Sequence, residues 1–170
     1  SELVYVGDGG VVETSDPTRR MGLDVSVRYQ VTKKLFADMD VNLVQAQLVG
    51  APSGEDQIPL APRFTTIGGL AYVQERGWNA SLRYRHIADR PANETNSVVA
   101  KGYFLIDAKT SYRFTALEIG ASVENLLNAE WNQAQFDTES RLNNETAAVS
   151  ELHFTPGTPF FLKGFVTYRF

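Results

Sequence analysis

The residues in this sequence able to do chemistry are few and scattered. Two histidines, His86 and His153, are the imidazoles available for general acid–base work, and there is no cysteine. A histidine beside an Asp or Ser could build a hydrolytic set. His86, however, falls in phase with Trp78 and Leu82, and His153 lies in a long polar segment. Neither placement gives triad geometry. Asp38, Asp40 and Asn42 alternate along the chain and could offer oxygen ligands to a cation. The same spacing puts them on one face of a strand, where a row of carboxylates paired with a neighbouring arginine is the simpler reading. The segment from Asp137 to Glu145 is acidic but lacks the glycine-centred spacing of a calcium loop. Gly9-Gly10 and Gly68-Gly69 do not lead into a helix carrying Lys-Ser/Thr, so they read as turn and strand-kink glycines, not phosphate cradles. No nucleophile, base and acid converge. The sequence reads as a non-enzyme with no cofactor, no metal and no catalytic residue.

The elements that would position these groups come next. The chain has 170 residues, with 16 Lys+Arg against 20 Asp+Glu and a net charge of -4. That balance gives no basic excess to neutralise phosphates and excludes nucleic acid as the expected partner. The absence of cysteine excludes disulfide frameworks and Cys-based zinc sites. Mean hydropathy is -0.23, and the longest strictly apolar runs, such as Leu3–Val6 and Leu70–Val73, are far below the roughly 20 residues of a spanning helix. No basic start or apolar core of a secretory signal opens the chain at Ser1-Glu2. One membrane class passes this filter. A transmembrane β-barrel is only half apolar, because its lipid-facing and lumen-facing residues alternate.

Alternation is pervasive. Leu23, Val25, Val27, Tyr29 and Val31 oppose Asp24, Ser26, Arg28 and Gln30. Leu35, Ala37, Met39, Val41 and Leu43 oppose Asp38, Asp40 and Asn42. At Val44 the phase flips to Val44, Ala46 and Leu48, which predicts a bulge or an exit from the apolar zone. Trp78, Ala80, Leu82 and Tyr84 oppose Asn79, Ser81, Arg83 and Arg85. Phe104, Ile106, Ala108, Tyr112 and Phe114 oppose Asp107, Lys109, Ser111 and Arg113. Leu117, Ile119, Ala121 and Val123 oppose Glu118, Ser122 and Glu124. The chain ends on Leu162, Val166, Tyr168 and Phe170 against Lys163, Thr167 and Arg169. Residues 63–74 are strand-like with ambiguous phase, and Leu3–Val6 is a short run. The sum is about eight strands, most near the 9–11 residues that cross a bilayer. Only the stretch from Asn125 to Trp131 has room for a turn of helix.

Short connections near Thr32, Glu75 and Thr115 alternate strictly with long polar ones over residues 7–18, 50–62, 91–101 and 127–159. Outer-membrane barrels have short periplasmic turns and long extracellular loops. The rule places the C-terminus on the periplasmic side. On the proposed lipid face Tyr29, Trp78, Tyr112, Phe114, Tyr168 and Phe170 all fall near short-turn ends, as one aromatic girdle would. Tyr84 and Phe104 are candidates for the other. Alternation alone is blind to inversion: the same pattern suits a soluble, lipocalin-like ligand-binding barrel with its apolar face inward. The loop asymmetry and the aromatic row favour the membrane version. In such a bacterial protein the glycosylation-like Asn93-Glu-Thr95 and Asn144-Glu-Thr146 would be accidental.

Three segments carry a resemblance. The last strand, with Leu162, Gly164, Val166, Tyr168 and a terminal Phe170, resembles the signal that outer-membrane proteins present to the barrel-assembly machinery. Glu124, Asn125, Leu126, Leu127 and Asn128, followed by Trp131, resemble the Glu-Asn-Leu-Phe-Asp segment before the last strand of TonB-dependent receptors. Leu127-Asn128 departs mildly from the commoner Phe-Asp. Ile58-Pro-Leu-Ala-Pro-Arg-Phe64 resembles the proline-containing start of one of their strands. The chain therefore resembles the C-terminal part of a TonB-dependent receptor barrel.

That resemblance implies an all-β, antiparallel transmembrane barrel segment spanning residues 1–170, in outer-membrane lipid of a Gram-negative bacterium. It implies uptake of a scarce small ligand such as a ferric siderophore, cobalamin or a saccharide, powered by TonB with ExbB–ExbD. Contact with TonB would lie in a missing N-terminal part, because such receptors carry a plug and roughly 22 strands. The ligand contacts are not named by the sequence; residues 133–152 are the expected region. Two alternatives stay open at this point. One is a complete small eight-stranded outer-membrane protein with a structural or adhesive role, and the other is the soluble calyx. The poor first strand favours a piece of a larger barrel.

Overall fold

In the computed structural model of the protein, residues 3–6, 11–14 and 16–170 are described, side chains from residue 14 onward. Among the described residues thirteen strands form: β1 Leu3–Val6, β2 Val11–Thr14, β3 Thr18–Gln30, β4 Leu35–Leu48, β5 Phe64–Tyr72, β6 Gly77–Ile87, β7 Arg90–Pro91, β8 Val99–Ala100, β9 Tyr103–Arg113, β10 Leu117–Glu124, β11 Asn132–Ser140, β12 Val149–Pro156 and β13 Phe161–Tyr168. Seven of them make one antiparallel sheet in the order β13-β10-β9-β6-β5-β4-β3. This wall contains seven of the expected strands. The other expected one, Leu3–Val6, instead pairs with Val11–Thr14 in a separate two-stranded ladder.

The connections within the wall are as the sequence reads. Residues 31–34, 73–76 and 114–116 are tight turns, closed by bonds such as Val31 N–H to Leu35 O at 2.9 Å and Phe114 N–H to Leu117 O at 2.7 Å. The other three are long. Two of these contain small hairpins, β7–β8 and β11–β12. The turn of helix considered for Asn125–Trp131 does not form. Asn125 and Asn128 both adopt positive φ, 51° and 48°, a region where asparagine is tolerated.

Register fixes the faces, because directly opposed residues in a sheet share one. Val25, Val41 and Thr66 stand in line, as do Leu70, Leu82, Ala108, Val123 and Leu162. The ambiguous strand β5 therefore presents Phe64, Thr66, Gly68, Leu70 and Tyr72 on the apolar side, and Ile67 goes to the polar side. Gly68 and Gly69 do not kink the strand, since both ladders run through them without a shift. Gly68 lies directly opposite Tyr84, whose ring covers it: a Cβ there would sit 2.9 Å from the ring edge and 2.5 Å from Asp38 O.

The apolar face is bare. Leu23, Trp78, Leu82 and Val166 are among many large apolar side chains left exposed, Trp78 at 60%. Water would not tolerate so continuous an apolar surface on a soluble wall. Near the short turns Trp78 meets Tyr112 edge-on at 5.4 Å, and Tyr112 meets Phe114 at 4.7 Å. Eight residues along, a second aromatic row appears: Tyr84–Phe104 at 6.0 Å, His86–Phe104 at 6.3 Å and Phe64–His86 at 5.5 Å. Eight strand residues cover roughly 26 Å, close to the apolar band of about 25 Å in outer-membrane barrels.

The phase flip at Val44 has the second of its two expected causes. β3 and β4 pair from Thr18↔Leu48 to Gln30↔Phe36 without a bulge, but β5 stops at Leu43↔Phe64. Beyond that level β4 leaves the β5 ladder and on that side touches only the loop before β5, through the Gln47↔Gln57 bridge and Leu48 N–H to Asp56 O at 2.8 Å.

Candidate functional site: the polar wall and its loop assembly

The opposite face of the sheet is charged and largely paired. Arg28 clasps Asp40 with two bonds, Nη1 to Oδ1 at 3.0 Å and Nη2 to Oδ2 at 2.7 Å, and Ser26 Oγ donates to the same carboxylate. Arg83 bonds Asp38 from two strands away. Glu118 takes Ser111 Oγ at 2.8 Å, Arg113 Nε at 3.0 Å and Arg169 Nη2 at 3.1 Å. Lys163 reaches Glu124, and Asn42 reaches Asp24. Asp38 and Asp40, the cation candidates, are thus each occupied by an arginine. Among the described residues no group of three or more acidic or histidine side chains is placed to hold a metal. A hollow of about 420 Å³ is lined mainly by residues of the apolar face, Leu70, Tyr72, Ala80, Leu82, Ala108 and Val123 among them.

Above the wall the long loops fold onto one another. Gln135, 1% exposed, grips Lys101 at both ends: Lys101 N–H donates to its Oε1 at 2.8 Å, and its Nε2 donates to Lys101 O at 2.7 Å. Asn93 Nδ2 donates to Asp137 Oδ2 at 2.9 Å, tying the β7–β8 loop to β11. Gln57 N–H donates to Glu94 O at 3.1 Å and Leu60 N–H to Pro91 O at 2.7 Å, tying in the loop before β5. The buried apolar side chains Ile58, Ala92, Ala100 and Leu105 lie in or under this assembly. Asp89 accepts Gly102 N–H at 2.7 Å; that bond, with Lys101 nearby, holds its carboxyl below the usual carboxylate range. The reading of residues 137–145 as loop holds only in part, since Asp137–Ser140 belong to β11.

The segment Glu124–Asn128 acts as a clasp on the start of the last wall strand. Asn125 is buried; its Oδ1 accepts Ala129 N–H at 2.9 Å, and its Nδ2 donates to Ala129 O at 2.8 Å and Thr158 O at 3.1 Å. Its own N–H donates to Asp107 Oδ1 at 2.9 Å. Asn128 Oδ1 accepts Phe160 N–H at 2.9 Å. Leu126 and Leu127 are exposed. Leu162, Val166 and Tyr168 all lie on the apolar face of β13, opposite Val123, Ile119 and Leu117, and Phe170 is fully exposed at the end.

His86 stands in the second aromatic row, its Nδ1 at 2.8 Å from Tyr103 O, whereas His153 is on the β11–β12 hairpin, 3.2 Å from Ser140 Oγ. Sequence reasoning missed a different group on the polar side. Trp131 meets Tyr103 edge-on at 4.8 Å, Arg85 lies over the Trp131 ring at 5.4 Å, and Trp131 Nε1 donates to Thr158 O at 2.9 Å. Gly157 leaves the space for the indole: a Cβ there would fall 2.0 Å from the ring. The aromatic at position 131 within the clasp segment was the one signal.

A family model for the TonB-dependent receptor-like β-barrel matches residues 2–126. The chain belongs to that family. Its relatives of known structure share the fold. The ferric yersiniabactin uptake receptor FyuA of Yersinia pestis is 13% identical with a TM-score of 0.69, over 92% of this chain and 24% of that one. The siderophore receptor PiuA of Acinetobacter baumannii is 13% identical with a TM-score of 0.70, over 98% and 24%. The copper transporter OprC is 20% identical with a TM-score of 0.65, over 90% and 24%. No curated protein matches the sequence. The chain spans about a quarter of the length of these receptors, as a section of antiparallel outer-membrane barrel wall whose sheet ends at β3 on one side and β13 on the other.

Proposed function

We propose that this chain is the C-terminal part of the barrel of a TonB-dependent transporter, in the outer membrane of a Gram-negative bacterium. The observation that carries the reading is the open seven-stranded wall, bare and apolar outside, charged inside, with two unclosed edges. Unpaired strand edges are not tolerated in lipid. The missing neighbours are further strands of a larger barrel, in keeping with the quarter-length match. The long-loop end faces outward and the short turns and C-terminus face the periplasm, following the loop rule of such barrels.

The whole receptor takes up a scarce small ligand such as a ferric siderophore, cobalamin or a saccharide. TonB with ExbB–ExbD supplies the energy through the N-terminal part. The chain has no enzymatic role. Leu162, Val166, Tyr168 and Phe170 present the outward face of the last strand to the barrel-assembly machinery. Glu124, Asn125, Leu126, Leu127 and Asn128 aim that strand.

The test uses the full-length receptor in cells. Single cysteines at Asn93 and Glu145 should react with an impermeant maleimide in intact cells, and cysteines at Lys33 and Arg76 should not. Deleting the gene should abolish TonB-dependent growth on at least one scarce nutrient. Labelling of the short turns from outside overturns the orientation, and growth indifferent to both the gene and TonB overturns the transport role.

A further inference from the structure

The outer face of the wall carries a break in its cover of large side chains. Register lines up Ala80, Thr110, Ala121 and Gly164 on neighbouring strands. On their short-turn side runs the row Trp78, Tyr112, Ile119 and Val166. On the other side stand Leu82, Val123 and Leu162, with a dip at Ala108. A trench floored by small side chains thus crosses the strands between two banks of large ones. It contains the hollow of about 420 Å³, a size within the range of about 300–1,000 Å³ usual for small-molecule sites. A Cβ on Gly164 would meet nothing within 4 Å, so the trench is open toward β13.

The near end of the trench reaches the membrane surface. Leu35 opens β4 and Tyr72 closes β5; the two pair directly and both line the hollow. From Tyr72 the row passes to Ala80 and into the middle of longer strands. Two short turns meet at that end. Val73 N–H donates to Lys34 O at 2.8 Å, and Lys34 Nζ donates to Gln74 Oε1 at 2.7 Å. The turns carry three cations, Lys33, Lys34 and Arg76, against one acid, Glu75. Lys33 and Arg76 are exposed, and among the described residues neither forms an ion pair.

A hollow in an apolar wall forfeits dispersion contacts, and a flexible hydrocarbon chain restores them. Cations at a membrane surface draw anionic headgroups, and a guanidinium takes a phosphate through parallel N–H donors. A second copy of this wall is a poor occupant. Oriented alike in the bilayer, it would bring its own cationic turns to the same depth, where like charges repel.

We propose that the trench binds an anionic glycerophospholipid of the periplasmic leaflet, with an acyl chain against Ala80, Thr110 and Ala121 and the phosphate on Lys33, Lys34 and Arg76. The site rests on the membrane reading above and lies on the face that the transported ligand never touches.

The experiment uses the full-length receptor in phosphatidylcholine nanodiscs. They carry a small fraction of phosphatidylglycerol or phosphatidylethanolamine with a diazirine midway along one acyl chain. Light fixes the lipid where its chain rests, peptide mass spectrometry maps the position, and titration gives an apparent affinity. Phosphatidylglycerol should label the strands around Ala80, Thr110 and Ala121 in preference to the rest of the wall, and phosphatidylethanolamine should show no such focus. A80L/A121L should abolish the focus; it adds outward leucines to a face already rich in them, so the barrel keeps its fold. K33Q/R76Q should weaken phosphatidylglycerol on the order of 30-fold, about fivefold for each charge removed, and K33R/R76K should retain it. Raised salt should reproduce part of the loss. Equal labelling by the two lipids, or phosphatidylglycerol spread evenly along the wall, overturns the site and leaves the membrane reading standing. So does an unlabelled trench in a receptor that runs as a dimer, which puts a second copy there. Absence of label anywhere on the wall overturns both. Focused labelling in a receptor that drives no TonB-dependent uptake supports the site and counts against the transport reading alone.

Discussion

The strand wall and the loop assembly above it are made from one chain yet bury opposite things. In the wall the large apolar side chains point outward and stay exposed, while the polar side is satisfied by pairs such as Arg28–Asp40 and Arg113–Glu118. In the loops the arrangement is that of a small water-soluble protein. Ile58, Ala92, Ala100 and Leu105 are hidden, and buried amides do the fastening. The wall is held by a backbone ladder that needs no particular side chain. The loops are held by Asn125 and Gln135, each bonding main chain of another segment. A substitution should therefore be judged by the solvent its region expects.

The largest test of that contrast is Leu82→Arg, midway between the two aromatic rows on the apolar face. It should cost about 2–4 kcal/mol in vesicle-reconstituted receptor, read by urea unfolding. A cost no greater than that of a lumen-side substitution would break the distinction between faces. Asn125→Ala comes next. It strips acceptors and donors from buried main chain and should cost roughly 2–3 kcal/mol. The loss should appear as faster hydrogen exchange and proteolysis across residues 128–158, with the wall's unfolding midpoint little changed. Global unfolding at the same midpoint shift would show that loops and wall are one cooperative unit.

Gln135→Leu should cost roughly 1–2 kcal/mol, since it orphans both the N–H and the C=O of Lys101. Local exchange at Lys101 and Gly102 reads it. The smallest effect concerns pH. The folded carboxyl of Asp89 titrates below its unfolded value, about 3.9, so its contribution is complete above that value. It is lost as pH falls through the folded one. Protection of the Gly102 amide should fade in that acid window, and Asp89→Asn should remove the dependence. Fading at neutral pH would contradict the assignment.

The wall was legible because a period of two and a rule of alternating connections repeat over many residues, and each strand corrects errors in its neighbours. Residues 63–74 show this: their phase was undecidable locally and was settled by Val41↔Thr66 and Leu70↔Leu82. The loops were not legible. The β11–β12 hairpin alternates weakly, through Ala134, Phe136 and Thr138, and its ladder shifts register near Asn132. Leu3–Val6 resembled a wall strand in composition, yet it pairs locally with Val11–Thr14, a second four-residue run that falls inside what reads as a polar connection. Asn125 was noticed as part of a familiar segment, but its positive φ and its reach to Thr158 depend on residues 33 positions away. The Arg85–Trp131 stack has the same origin: two positions whose neighbourhood exists only after the loops close.

The parity change in β4 amounts to a depth mark. Below Leu43 the outward residues are apolar; above it Gln45 and Gln47 take that side while Val44, Ala46 and Leu48 turn to the other. The change falls level with Phe64, beside the His86–Phe104 row. Two unrelated encodings, one in the parity of a strand and one in the placement of rings, mark the same altitude to within about three residues, roughly 10 Å. The hairpin cannot ride higher or lower in the bilayer without wetting a leucine or drying a glutamine. The waterline of the molecule is written into its chain, and the loop assembly is set at a fixed height above it.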